Sequence, residues 1–205
     1  MSADHELRPS FARRWIVTVS IAEALGFAFA SGVAVAGISS GVDAPAAVAL
    51  TVAGGTVEGA LLGTGQWLAM RGRRPRASAW IGATAIGATI AWSLGMLPST
   101  LGVDFSRPWA VAAVGVGAIV LLASIPFAQW LTLTARIGGR RSAARWIPVN
   151  MAAWAVAIVW TLVPSPFIDE RSPLALVIAL YVGAGILMAV TIATLTSRTA
   201  RTLFG

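Results

Sequence analysis

Cysteine and lysine are absent from this chain, and histidine occurs once, as His5. Without cysteine there are no disulfides, no thiolate metal sites and no thiol nucleophiles. Without lysine there is no Schiff-base chemistry. His5 lies in a polar N-terminal arm, so histidine-ligated haem or zinc among the apolar segments is not expected. Charge is also scarce: 11% of the 205 residues are charged, against about 25% in a soluble domain. Hydrophobic residues make up 57% of the chain and come in long blocks, not in alternation. That pattern belongs to a polytopic helical membrane protein.

The blocks divide the chain. Residues 1–14 form a polar arm, expected in the cytoplasm. The first span covers about Trp15–Ile38, the second Ala46–Met70, the third Ala77–Leu97, the fourth Trp109–Thr134, the fifth Trp146–Val163 and the sixth Leu174–Thr196. Residues 198–205 read as a cytoplasmic tail. Each block holds the roughly 20 residues that cross about 30 Å of hydrocarbon at ~1.5 Å per residue. The first is too long for a signal-peptide core and precedes no small-residue cleavage site, so it reads as a span.

All 15 basic residues are Arg, and the net charge is +7. The arrangement follows a membrane rule and not a nucleic-acid one. Arg8, Arg13, Arg14, the loop Arg71–Arg76, Arg136, Arg140, Arg141, Arg145, Arg198 and Arg201 all fall on one side. The other side holds Arg107 and Arg171 with Asp43, Asp104, Asp169 and Glu170. The positive-inside rule then places both termini in the cytoplasm; the use of Arg in place of Lys reads as the composition of a GC-rich bacterial genome, and the expected location is a bacterial inner membrane. Trp15, Trp67, Trp80, Trp130 and Trp146 border the basic segments and read as interfacial anchors.

A repeat accompanies the topology. Trp15, Trp80 and Trp146 open the odd spans at intervals of 65 and 66 residues, and Asp43, Asp104 and Asp169 each precede a proline in the opposite turns. Gln66 and Gln129 recur near the ends of spans two and four; the next interval of 63 reaches Ile192, where the glutamine is lost. The expected fold is therefore all-α, with six transmembrane helices in three tandem hairpins (about 15–71, 77–136 and 146–197) and pseudo-threefold symmetry about the membrane normal.

Glu23 and Glu58 are the charged residues inside the spans. A carboxylate at the bilayer centre costs at least ~2.5–3.5 kcal/mol on insertion scales and so marks a candidate site. Counted from Trp15 and Trp67, they lie ~12 and ~14 Å deep, at nearly one level. Glu23 shares a helical stripe with Ser20, and Glu58 with Gln66. If the two carboxyls meet there, with no Arg inside the spans to neutralise them, at least one should hold its proton, which makes a proton or cation site. The bland reading is a protonated glutamate acting as helix glue. Gln66, Gln129 and Asn150 are further buried amides, read as interhelical glue or as part of the site. Gly55, Gly59 and Gly63 form a small-residue ridge, and Gly87 belongs to a similar one in span three. Pro126 should break the ladder of span four, three residues before Gln129. Trp92, Trp154 and Trp160 lie deeper than the anchors and read as packing, with a pocket for a quinone or carotenoid as the lesser reading. No hydrolase triad, Walker loop, zinc motif or dinucleotide fingerprint occurs, so an enzyme is not expected.

The small residues leading into Gly65-Gln66-Trp67-Leu68-Ala69-Met70-Arg71, followed by a Trp-led span, resemble bacterial multi-pass membrane proteins with repeated Gln-Trp-Leu-Val-Leu-Arg-like segments. In the second copy, Gln129-Trp130-Leu131-Thr132-Leu133, no Arg stands at the matching place; Arg136 follows two residues later. The resemblance covers about residues 55–165 and implies no particular activity. The six-span size is also similar to the substrate-binding components of vitamin-type ABC uptake systems, with no motif in support. Two functions are therefore carried forward. One is a small transporter or channel with a carboxylate-linked proton or cation site. The other is an accessory or scaffold subunit that binds partner helices, a second copy, lipid, quinone or pigment. Both place the chain in a lipid bilayer and neither involves nucleic acid.

Overall fold

The computed structural model describes residues 10–72, 74–133, 143–169 and 171–205. His5, Arg8, Arg73, Thr134, Arg136, Arg140, Arg141 and Glu170, which enter the reading above, lie outside the described residues. Among the described residues regular structure is helical: α1 (Phe11–Ser39), α2 (Ala44–Ala69), α3 (Ala77–Thr100), α4 (Pro108–Thr132), α5 (Trp146–Ala157) and α6 (Leu174–Phe204). Six segments are long and apolar enough to cross a membrane, the fifth being α5 together with the turns that follow it, Trp146–Phe167. The chain is a six-span helical membrane protein. Each helix packs on the next, and α6 returns to pack on α1, closing a ring.

Local chemistry sets most boundaries. Asp43 caps α2 by accepting from the Ala46 N–H at 2.8 Å, with Pro45 in the first turn. Asp104 accepts from the N–H and hydroxyl of Ser106, at 3.0 and 2.7 Å, just before Pro108 opens α4. Asp169 accepts from the Arg171 N–H and the Ser172 hydroxyl, at 2.9 and 3.0 Å. The recurring Asp is thus a turn-former at the acidic end of each hairpin.

Three boundaries differ from the sequence reading. α1 begins at Phe11, inside the stretch read as an arm. The fifth span leaves the α form at Ala157 and continues as 3-10 turns over Ile158–Leu162 and Ser165–Phe167. Pro164 lacks an N–H and its ring opposes the carbonyl of Trp160, while Ile158, Val159, Thr161 and Val163 crowd the same turns. α6 runs on through the stretch read as a tail, with Ala200, Leu203 and Phe204 buried. Pro98 and Pro126, by contrast, are accommodated within α3 and α4.

Small residues set the helix spacing. A Cβ on Gly59 would fall 2.4 Å from the Ala88 Cβ, one on Gly63 2.9 Å from Thr84, and one on Gly55 2.0 Å from the Trp92 ring. The ridge Gly55, Gly59, Gly63 is therefore consumed by α3, inside the bundle. Gly87 continues the scheme on α3: a Cβ there would fall 2.6 Å from the Ile125 Cα of α4, and the Gly87 carbonyl accepts from the Ser124 hydroxyl at 2.9 Å.

Candidate functional site

Glu23 on α1 and Glu58 on α2 are both buried, at 0% and 5% exposure. Their closeness comes from Gly26, one turn beyond Glu23: a Cβ there would lie 2.9 Å from the Glu58 Cα. With no side chain between them, the two backbones touch and the carboxyls come within hydrogen-bonding reach of each other. Glu58 Oε2 accepts from the indole N–H of Trp92 at 2.7 Å. Neither Glu23 oxygen has a donor among the described residues, nor has the nearby Ser20 hydroxyl a partner. As carboxylates the two groups are acceptors only; a proton held between them would supply the missing bond.

The pair lies at the floor of a partly open cavity of about 490 Å³. It is walled by all six spans: Phe27 from α1, Leu62 from α2, Trp92 and Met96 from α3, Leu121 and Leu122 from α4, Trp154 from α5, and Tyr181 and Met188 from α6. The residues beyond the carboxyls lead toward the acidic end of the bundle, to Met96 and Leu162, and Leu162 is 65% exposed. The volume lies within the ~300–1,000 Å³ typical of small-molecule sites. Pro126 leaves the Leu122 carbonyl without its ladder donor, and Leu122 lines this cavity. A second cavity, about 620 Å³, lies between the acidic ends of α3 and α4. It holds none of the buried, unpartnered polar atoms.

Toward the basic end the bundle is closed. Trp15, Trp80, Trp146 and Phe204 are all 0% exposed and meet face or edge at centroid distances of 5.5–6.3 Å. Each of the three indoles donates to a polar side chain of the preceding even span. Trp80 donates to Gln66 at 3.1 Å, Trp146 to Gln129 at 2.7 Å, and Trp15, around the closed ring, to Thr196 at 3.1 Å. Gln129 ties the set together by donating to Gln66 at 2.7 Å and to Thr84 at 2.8 Å. The carbonyl of Phe204 accepts from the Arg71 and Gly72 N–H groups at 3.2 and 3.0 Å, which pins the end of α6 over the cluster.

This placement corrects the reading of Trp15, Trp80 and Trp146 as interfacial anchors: they are the closed centre of the ring. Trp67 does sit at the edge, half-buried, with Arg74 4.2 Å above its ring and its N–H on the Pro75 carbonyl at 3.0 Å. Gln66 and Gln129 belong to the indole network and not to the carboxyl pair. Gln66 is two turns, or ~12 Å, from Glu58 along α2. Asn150 donates to the Trp146 carbonyl of its own helix at 2.9 Å. Thr196 and the bond from Trp92 to Glu58 carry weight that the sequence reading did not assign; Trp92 and Trp154, read there as packing with a ligand pocket as the lesser reading, line the cavity. Thr196 had one available signal: it lies one helical turn beyond Ile192, where the glutamine repeat lapses.

No family model, no curated protein and no solved structure matches the chain. The resemblance to multi-pass proteins with Gln-Trp-Leu segments therefore gains no support, and function rests on the geometry.

Proposed function

We propose that the chain is a small transporter of a bacterial cytoplasmic membrane, with both termini on the cytoplasmic side, that carries its substrate without covalent chemistry. The substrate site is the cavity above Glu23 and Glu58, and the pair exchanges a proton for the substrate. One observation carries this reading: the two oxygens of Glu23 are buried and lack donors among the described residues, and Glu23 and Glu58 both line a partly open cavity. A carboxyl used only as helix glue would be satisfied by its neighbours, as Gln129 is by its bonds to Gln66, Thr84 and Trp146. The aromatic cluster beneath then closes the cytoplasmic end. The test is reconstitution in liposomes loaded with a pH-reporting dye. Cations imposed across the bilayer should drive proton movement that Glu58→Gln abolishes; unchanged movement in that variant removes the pair from the mechanism.

A second reading, an accessory subunit holding a quinone or pigment, draws on the apolar aromatic wall of the same cavity. It loses its docking ridge, because Gly55, Gly59 and Gly63 are already occupied by α3. Purification in mild detergent separates the two: a stoichiometric partner or coloured ligand favours the subunit.

A further inference from the structure

The cavity carries more information than its depth. Its ionisable lining groups are Glu23, Glu58 and Tyr181, and no arginine is among them. An anionic substrate would meet two carboxyls and no counter-charge. A bare metal ion suits the site no better. Calcium needs six to eight oxygen ligands, and among the described residues no group of three or more acidic or histidine side chains could hold a metal. A purely apolar ligand would leave the Glu23 oxygens unpartnered, which is costly away from water. The remaining walls are mostly aliphatic and small side chains, and among them stand the aromatic and thioether groups of Phe27, Trp92, Trp154, Tyr181, Met96 and Met188. Aromatic faces attract cations, most strongly where water is excluded.

We propose that the substrate of this site is an amphipathic organic cation, an ammonium or phosphonium centre on an apolar aromatic body. Its charge sits over the Glu23–Glu58 pair and its body lies against the aromatic wall. The inference rests on the transport reading for the site's purpose, but not for its existence. On binding, the proton shared by the two carboxyls leaves to solvent and the cation replaces it, so charge in the pocket is conserved and no covalent bond is exchanged. The groups facing the pair are Glu23 from α1, Glu58 from α2 and the Trp92 N–H from α3, with Tyr181 from α6 farther up the wall; α4 and α5 bring no charged lining residue.

The test uses the full chain in mild detergent with two probes of matched shape and opposite charge, tetraphenylphosphonium and tetraphenylborate. Neither can donate a proton, so any proton released comes from the protein. The phosphonium should bind saturably, quench tryptophan fluorescence and release about one proton per chain. Its affinity should fall by up to about tenfold for each pH unit on the acid side, by reciprocal linkage. The borate should bind at least about tenfold more weakly. Glu23→Gln and Glu58→Gln, checked for folding by circular dichroism and gel filtration, should each weaken phosphonium binding by about tenfold or more. Equal binding of the two probes to the wild-type chain, or phosphonium binding without proton release, overturns the proposal and needs no variant. Liposome measurements keep the two readings apart. Phosphonium binding with proton release but no flux retains the cation site and overturns transport. Sodium- or potassium-driven proton movement without phosphonium binding retains transport and overturns the organic cation.

Discussion

Gly26 on α1 lies directly against Glu58 on α2, so closely that a Cβ at residue 26 would stand 2.9 Å from the Glu58 Cα and 3.0 Å from its Cγ. That contact holds Glu23 and Glu58 together, and it makes the carboxyl pair sensitive to a single methyl group. Gly26→Ala should force α1 away from α2, at a cost of about 1–3 kcal/mol for overpacking a close contact, and should weaken ligand binding at the pair. Gly32→Ala is the matched control, because a Cβ there meets nothing within 4 Å. Its unfolding midpoint should stay level or rise. Thermal unfolding of the two variants in detergent checks the contrast; equal shifts would contradict it.

The indole–amide network should behave as a unit. Gln129 donates to Gln66 and Thr84 and accepts from Trp146. Gln129→Leu leaves the Trp146 N–H without this acceptor in a dry site, a loss of about 1–3 kcal/mol. Gln66→Leu strips the Trp80 N–H of its acceptor in the same way. Because the two glutamines bond each other, the double variant should lose less than the sum of the single losses. A double-mutant cycle on unfolding free energy measures this, and strict additivity would show that the amides act independently.

The extent to which this was legible in sequence follows from one physical fact. In a membrane helix both lipid and core are apolar, so hydropathy reports depth along the helix but hardly its rotation. Depth was read well: six spans and the common level of Glu23 and Glu58 came from counting residues. Rotation was not. Trp15, Trp80 and Trp146 lie near the basic end, as anchors would, yet they point to the ring centre. Gln66 shares a face with Glu58 on α2 but joins a different set of partners two turns away. The Trp92–Glu58 bond needed the relative rotation of α2 and α3, which Gly55 and Gly59 decide through close approach. The third member of the indole–acceptor repeat was hidden by a one-turn shift from Ile192 to Thr196.

The end of α6 should be needed to keep the basic side shut. Phe204 packs against Trp15, Trp80 and Trp146, and its carbonyl holds the Arg71–Gly72 backbone. Phe204→Ala should cost about 3–5 kcal/mol, the usual loss for emptying a buried phenylalanine site. It should also make the cluster accessible to a water-soluble quencher. Tryptophan quenching by acrylamide checks the second effect; unchanged quenching would mean that the indoles close the end without it.

At the opposite end, the Ser106 hydroxyl and N–H, with Arg107 contributing less, hold the Asp104 carboxyl below its ordinary value of 3.8. A depressed carboxyl stabilises the turn above that ordinary value, and the contribution is lost as pH falls through the lower folded value. Asp104 is fully exposed, so the effect is local and small. Protection of the Ser106 amide against hydrogen exchange should hold at pH 5 to 7, about one unit and more above the ordinary carboxyl range, and should fall in strong acid. In Asp104→Asn it should not fall further in acid.

The most direct measurement of the central claim is infrared difference spectroscopy of the full chain on adding tetraphenylphosphonium at neutral pH. A proton shared by Glu23 and Glu58 and displaced by the cation should appear as loss of a protonated-carboxyl band with gain of carboxylate bands. The change should disappear in Glu23→Gln and in Glu58→Gln. A spectrum in which the cation binds and no carboxyl band changes would contradict the exchange of proton for cation at this pair.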